Sequence, residues 1–362
     1  MKAAFYSPAI LLAVTLCAPI APQGQAVPAQ PAGTALTLDV VVTDKSGAAV
    51  AGLEPGAFRL LDNNQPQVLS VQPASRLNGK ADPPVEAFLV IDAVNQRFLT
   101  VSSERQGLAE FFKQNGSELA MPTSLVILTE KGIVIQQRPA RDGKALQAFL
   151  DSNATGFRFN RRSEGWEGYL AREDESLKDL HVLALQLAAR PGRKLVVWIG
   201  GGWGVTSNPS SRGSLKRMGN IYTYISSLST ALREARITLD QVVLESSRWG
   251  GGGRTDTYMH YVKGIDDPKK ADLGGLALSV LATQSGGQVL YGDDLASQFD
   301  RCIADAKSYY LLTYTPPAAG HADEYHRIEV ILDKPGLKVR TRTAYYTAGA
   351  NGVQTAGALR LQ

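Results

Sequence analysis

At 362 residues the chain is long enough for two domains, or for one domain with a sizeable appendage. Its 44% hydrophobic and 20% charged content excludes disordered and fibrous classes and fits a soluble globular protein. The net charge of +4 is small and the basic residues form no patch with interleaved aromatics, which argues against a nucleic-acid partner.

The N-terminus reads as a targeting segment. Lys2 precedes an apolar stretch from Ala9 to Ile20, too short to span a bilayer, and Gly24 and Ala26 suit a signal-peptidase cut after Ala26. Residues 27–35 then form a tether. Bulky Leu16 before Cys17 argues against a lipid anchor. The expectation is a secreted or periplasmic protein with no transmembrane segment after cleavage. Cleavage leaves Cys302 alone, so no intramolecular disulfide is expected, and its helical neighbours Leu295, Phe299 and Ala306 predict a packed thiol.

Residues 36–75 read as β. Leu36–Val42 alternates as a strand, Thr43–Gly47 turns, and two short strands flank Asp62-Asn-Asn64. A linker follows over 76–86. Residues 86–308 then alternate strand and helix. Phe88–Ile91 is a buried strand followed by helix 102–114. Leu125–Leu128 and Ile133–Gln136 pair around Lys131-Gly132. Helix 143–151 leads to a polar loop over 152–173 and helix 176–190, and Lys194–Ile199 is the next buried strand. Helix 220–235, strand 237–244, helix 273–284, strand Val289–Tyr291 and helix 294–307 complete the alternation, which predicts a parallel sheet wrapped by helices. Residues 309–347 return to β, with a hairpin of 326–332 and 337–343 around Lys334-Pro-Gly336, and 348–362 form a tail. Neither β end can hold a core alone, so the two are expected to pack together as one β domain.

Candidate site residues gather at one edge. Asp92 ends the strand Phe88–Ile91 and so lies at the carboxyl edge of the sheet, where open α/β sheets bind ligands. Gly200-Gly-Gly-Trp-Gly204 lacks the lysine and hydroxyl residue of a phosphate-binding loop. Its glycines permit a tight turn that exposes Trp203 as an interface anchor or folds it down as a lid on the core. Arg248-Trp-Gly-Gly-Gly-Gly-Arg254 brings Trp249 to the same edge, as a contact or as a mobile loop. The loop 152–173, with Phe157, Phe159, Trp166 and Tyr169, is a third candidate binding surface.

Several stretches, in this order, resemble the von Willebrand factor type A-related proteins of acidobacteria. They are Val41–Gly47 with Gly52–Phe58, Arg193-Lys-Leu-Val-Val-Trp-Ile-Gly-Gly-Gly-Trp203, Gly275–Gly287, and Tyr309-Tyr-Leu-Leu-Thr-Tyr-Thr-Pro316. The resemblance covers about residues 36–347. It implies a type A, Rossmann-like fold (a mostly parallel sheet with helices on both faces), export, and binding of a protein partner in the envelope or outside the cell.

Such domains commonly hold Mg²⁺ through Asp-x-Ser-x-Ser, a later threonine and a later aspartate. Carried over, Asp92 matches, but Val94 and Gln96 stand at the serine positions and Gly200–Gly202 replaces the late aspartate. Asn95 would turn inward only by distorting the loop, and Thr155 takes the threonine place. So few oxygen ligands suit Mg²⁺ poorly, and no metal or other cofactor is expected. Asp92 is read either as a loop-capping carboxylate or as a metal-independent binding contact with Asn95, Thr155, Trp203 and Trp249.

No catalytic set emerges. His181, His260, His321 and His326 have no metal-ligand spacing, no Gly-x-Ser-x-Gly elbow occurs, and Glu173-Asp-Glu175 reads as acids at a helix start. The expected function is an exported protein-binding or adhesion-type module with a degenerate metal site and no catalysis. A structural part of an envelope assembly, or an envelope hydrolase, are the alternatives.

Overall fold

The computed structural model describes residues 35–74, 82–96, 98–114, 118–153, 165–204, 215–244 and 257–348. The apolar runs Glu86–Asp92 (β5), Thr123–Thr129 (β6), Lys194–Ile199 (β8) and Ile237–Val243 (β9) are buried along almost their whole length, as strands covered on both faces must be. With Gly132–Ile135 (β7) and Val289–Tyr291 (β10) they form a six-stranded sheet in the order β10-β9-β8-β5-β6-β7. All neighbours are parallel except β6 and β7, which pair antiparallel across the tight Glu130–Lys131 turn.

Alternate side chains sort to two cores. Ala87, Leu89, Ile91, Leu125 and Ile127 pack under Phe98–Gln114 (α1), Gly143–Ser152 (α2) and Leu295–Lys307 (α6). Phe88, Val90, Val126 and Trp198 pack under Gly165–Ala188 (α3), Leu215–Glu234 (α4) and Leu278–Gln284 (α5). The α/β architecture with helices on both faces is therefore present. Counted from β5, the strand order reverses between β5 and β8, which makes their carboxyl ends the topological switch point.

The chain ends build a second unit. Leu36–Thr43 (β1) pairs with Tyr310–Tyr314 (β11) and Lys338–Arg340 (β13), and β11 pairs with Leu69–Pro73 (β4). The other sheet runs Ala344–Tyr346 (β14), Tyr325–Leu332 (β12), Phe58–Asp62 (β2), Gln65–Gln67 (β3). Leu38, Val40, Leu60, Leu312 and Ile328 fill the space between the two sheets.

Several expectations need correction. The segments 326–332 and 337–343 are not a hairpin: β12 pairs with β2 and β14, whereas β13 joins β1. The turn at Pro335-Gly336 carries the chain from one sheet to the other, and burial of both inner faces outweighs local pairing. Residues 165–173 are not loop but the first turns of α3, so Glu173, Asp174 and Glu175 lie inside a helix rather than at its start. The expected helix 273–284 is a 3₁₀ turn at Leu273–Leu276 followed by α5. Cys302 is fully buried on α6, as its helical face suggests, and burial pushes its thiol well above the ordinary value.

The two units are joined by charge. Arg236, between α4 and β9, donates to both oxygens of Asp82, each at 2.9 Å, and to Asp39 Oδ1 of β1 at 2.6 Å. Tyr309 Oη donates to Asp82 Oδ2 at 2.6 Å, and Arg193 stacks over the Tyr309 ring. Arg340 of β13 reaches Asp305 of α6. This clasp lies at the amino ends of β8 and β9.

Candidate functional site

Asp92 closes β5 at the switch point and is fully buried. Its Oδ1 accepts from Val94 N at 3.0 Å and Asn95 N at 2.9 Å. Its Oδ2 accepts from Asn95 Nδ2 at 2.9 Å and Trp198 Nε1 at 3.2 Å. A carboxylate offers about four lone-pair sites, so all of them are taken. Burial raises the pKa of Asp92 above its usual value, opposed by these hydrogen bonds.

Asn95 corrects one expectation. Its side chain turns inward without disrupting the loop, because the same turn that caps Asp92 aims Nδ2 at the carboxylate and at Ser176 Oγ of α3, 2.8 Å away. Asp92 is thus a loop-fixing group that ties β5 to β8 and, through Asn95, to α3.

Trp203 corrects another. It is not exposed at a loop tip: it is 1% accessible, its ring meets Trp198 edge to face at 5.3 Å, and Nε1 donates to Leu276 O at 2.7 Å. The glycines fold it downward. Gly200 has φ +109°, and a Cβ there would stand 2.2 Å from Gln96 Nε2 and 2.8 Å from Glu104 Oε1. The loop is pinned by Gly200 N to Val242 O, by Gln241 Nε2 to the carbonyls of Gly200 and Gly201, and by Gly204 N to Tyr169 Oη. Thr155 and Trp249, with Phe157 and Phe159, lie outside the described residues.

Glu104 and Asp179, not singled out from the sequence, are buried titratable groups near Asp92. Glu104 of α1 has no exposed surface, and neither carboxyl oxygen has a hydrogen-bond partner. Burial, and then the nearby Asp92 charge, push its pKa well above the carboxylate range. One signal pointed to it: Glu104 falls on the apolar stripe Val101, Leu108, Phe111 and Phe112. Asp179 of α3 is raised to about 7 by burial and by the Glu175 and Asp92 charges. His181 is buried against Tyr224, and burial alone lowers its basicity. Among the described residues no three histidine, cysteine or acidic side chains converge as metal ligands.

Above this buried floor, large apolar side chains face solvent. Leu99 opens α1, Trp166 opens α3 and Leu215 opens α4, at 76%, 57% and 71% exposure. The helices run opposite to the parallel strands, so all three starts lie at the carboxyl edge of the sheet. Trp166 is stacked on Tyr169 at 5.6 Å, which holds it in place.

No protein-family model matches the chain, and no curated protein does. Solved structures give distant likenesses. A von Willebrand factor type A protein from Catenulispora acidiphila is 11% identical, covers 88% of this chain and 75% of its own, with a TM-score of 0.30. The human COPII-coat protein Sec24c is 9% identical over 75% of this chain and 45% of its own, at 0.37. Proximal thread matrix protein 1 from the mussel byssus is 10% identical over 62% of this chain and 48% of its own, at 0.32. The chain spans about half the length of the last two. The fold assignment rests on the sheet order and the helix layers, not on these scores. No helix of the described residues is long and apolar enough to cross a membrane.

Proposed function

We propose that the chain is an exported, non-catalytic, adhesion-type module that binds a protein partner at the carboxyl edge of its central sheet without a metal ion. The observation that carries this reading is the set of exposed apolar residues Leu99, Trp166 and Leu215, ringed around a topological switch point whose buried acid is fully occupied. Exposed aromatic and aliphatic anchors on a rigid base suit protein recognition. Asp92 has no lone pair left for an ion, which supports a metal-independent contact. The envelope or the extracellular space is the proposed location, supported by the signal-like N-terminus.

A second reading, a structural part of an envelope assembly, draws on the sandwich, where Val68 stands 94% exposed beside the edge strand β3. Crosslinking capture from an envelope extract separates the two. Loss of the captured partner with Trp166→Ala or Leu215→Ala supports the sheet edge. Loss with Val68→Ser alone supports the sandwich, and capture unchanged by all three overturns both.

A further inference from the structure

The sandwich buries one imidazole between carboxylates. His326 of β12 and Asp62 of β2 are 3% and 1% exposed, and His326 Nδ1 lies 2.7 Å from Asp62 Oδ1. The other oxygen of Asp62 accepts from Tyr314 Oη of β11 at 3.0 Å and from Tyr345 Oη of β14 at 2.9 Å. Burial holds both phenols above their ordinary range, so each keeps its proton to donate. Asp62 therefore accepts on both oxygens, and Nδ1 is the nitrogen of His326 that carries a proton. The Tyr345 ring stacks on the imidazole at 4.8 Å and fixes its plane.

The second nitrogen has no such match. In a neutral imidazole with its proton on Nδ1, Nε2 is a bare acceptor. It is buried with no hydrogen-bond partner among the described residues, and Glu324 Oε1, another acceptor, stands 3.7 Å away. Two acceptors set against one another in the interior are unfavourable, and one added proton turns them into a charge-assisted pair.

Glu324 is placed to transmit that change. Its Oε2 accepts from Gly320 N at 2.5 Å and closes the turn 320–324, and its own N donates to Thr347 Oγ1 at 2.9 Å. The carbonyl of the preceding Asp323 accepts from Tyr222 Oη of α4 at 2.6 Å, so the turn joins the sandwich to the α/β unit. Other titratable groups around it are Arg233 of α4, whose charge acts on Tyr345 and opposes a second cation, and Asp323 and His321 in the turn. Arg327 and Glu329, on β12 itself, pair with each other in solvent.

We propose that His326 is a proton-operated latch: uptake of a proton at Nε2 sets an imidazolium between Asp62 and Glu324 and locks the turn 320–324 onto the sandwich. The proton enters from solvent past Glu324, whose side chain is 29% exposed. The added bond is present once His326 is doubly protonated and is lost as rising pH removes that proton. Mild acid thus tightens the seam between the two units, opposite in sense to the loss of carboxylate ion pairs in acid. The latch involves no residue of the sheet edge and stands or falls apart from the proposed partner site.

The test is NMR of the full ¹⁵N-labelled chain from about pH 8 to about pH 5, the span in which imidazoles titrate. At the alkaline end His326 is expected as the Nδ1–H tautomer, and acidification protonates Nε2. Over the same span, amide exchange at Glu324 and Thr347, corrected for its intrinsic pH dependence, slows about fivefold or more in the wild type. Glu324→Gln abolishes the slowing, because its amide donates to the neutral Nε2 as well. An Nε2–H tautomer at the alkaline end, exchange that does not slow in acid, or equal slowing in Glu324→Gln overturns the proposal.

Discussion

Replacing Trp203 by alanine separates a core role from a surface role. The side chain is 1% exposed, packs edge to face on Trp198 at 5.3 Å, and donates to Leu276 O at 2.7 Å. Truncating a buried tryptophan costs about 3–5 kcal/mol through lost transfer energy and the cavity left behind. Leaving the Leu276 carbonyl without its donor adds about 1–3 kcal/mol, unless water enters. Trp203→Ala is therefore expected to destabilise by about 4–8 kcal/mol. Trp203→Phe keeps most of the packing but loses the donor, so about 1–3 kcal/mol is expected. Guanidinium unfolding followed by far-ultraviolet circular dichroism reads both as a drop in midpoint. A cost below about 1 kcal/mol for the alanine variant would refute the buried role. So would unchanged stability combined with loss of partner capture, which would return Trp203 to the surface.

Other consequences are equally measurable. Asp179 is raised from 3.8 to about 7, so its contribution to stability is fully present below pH 4 and is lost as the pH rises to about 7. Asp179→Asn should flatten that slope in a series of midpoints against pH, and an unchanged slope counts against it. Glu104 is shifted in the same direction, so Glu104→Gln should gain stability relative to the wild type as the pH rises, with no gain in acid. Equal pH profiles for the two proteins would show Glu104 to be hydrated or paired. Arg236→Ala removes the ion-pair partner of the buried Asp82 carboxylate and leaves it the Tyr309 hydroxyl, and a loss of about 3–5 kcal/mol is expected in urea unfolding. Calorimetric titration with Mg²⁺ should detect no binding tighter than roughly millimolar, because every lone pair of Asp92 is taken. A tighter site would mean that the Asn95 turn opens.

Much of the fold was readable because burial on both faces forces long apolar strands, and helices that cover them repeat with their own period. The runs 86–92, 194–199 and 237–243 were visible for that reason, and so was the Cys302 face of α6. Asp92 was placed at the edge by its position after such a run. Its role was not readable, because that depends on Trp198 from a strand distant in sequence and on the direction taken by Asn95. Glu104 shows the same limit: its place on an apolar stripe was visible, but its neighbour Asp92 was not.

The sequence by itself determined the alternation of strand and helix, the carboxylate at the sheet edge and the absence of its serine companions, since these follow from local pattern and residue chemistry. Only the tertiary structure decided that Trp203 faces inward and that residues 326–343 divide between two sheets. Each of these depends on which distant surface a side chain or strand finds to bury against, and local periodicity carries no record of that partner.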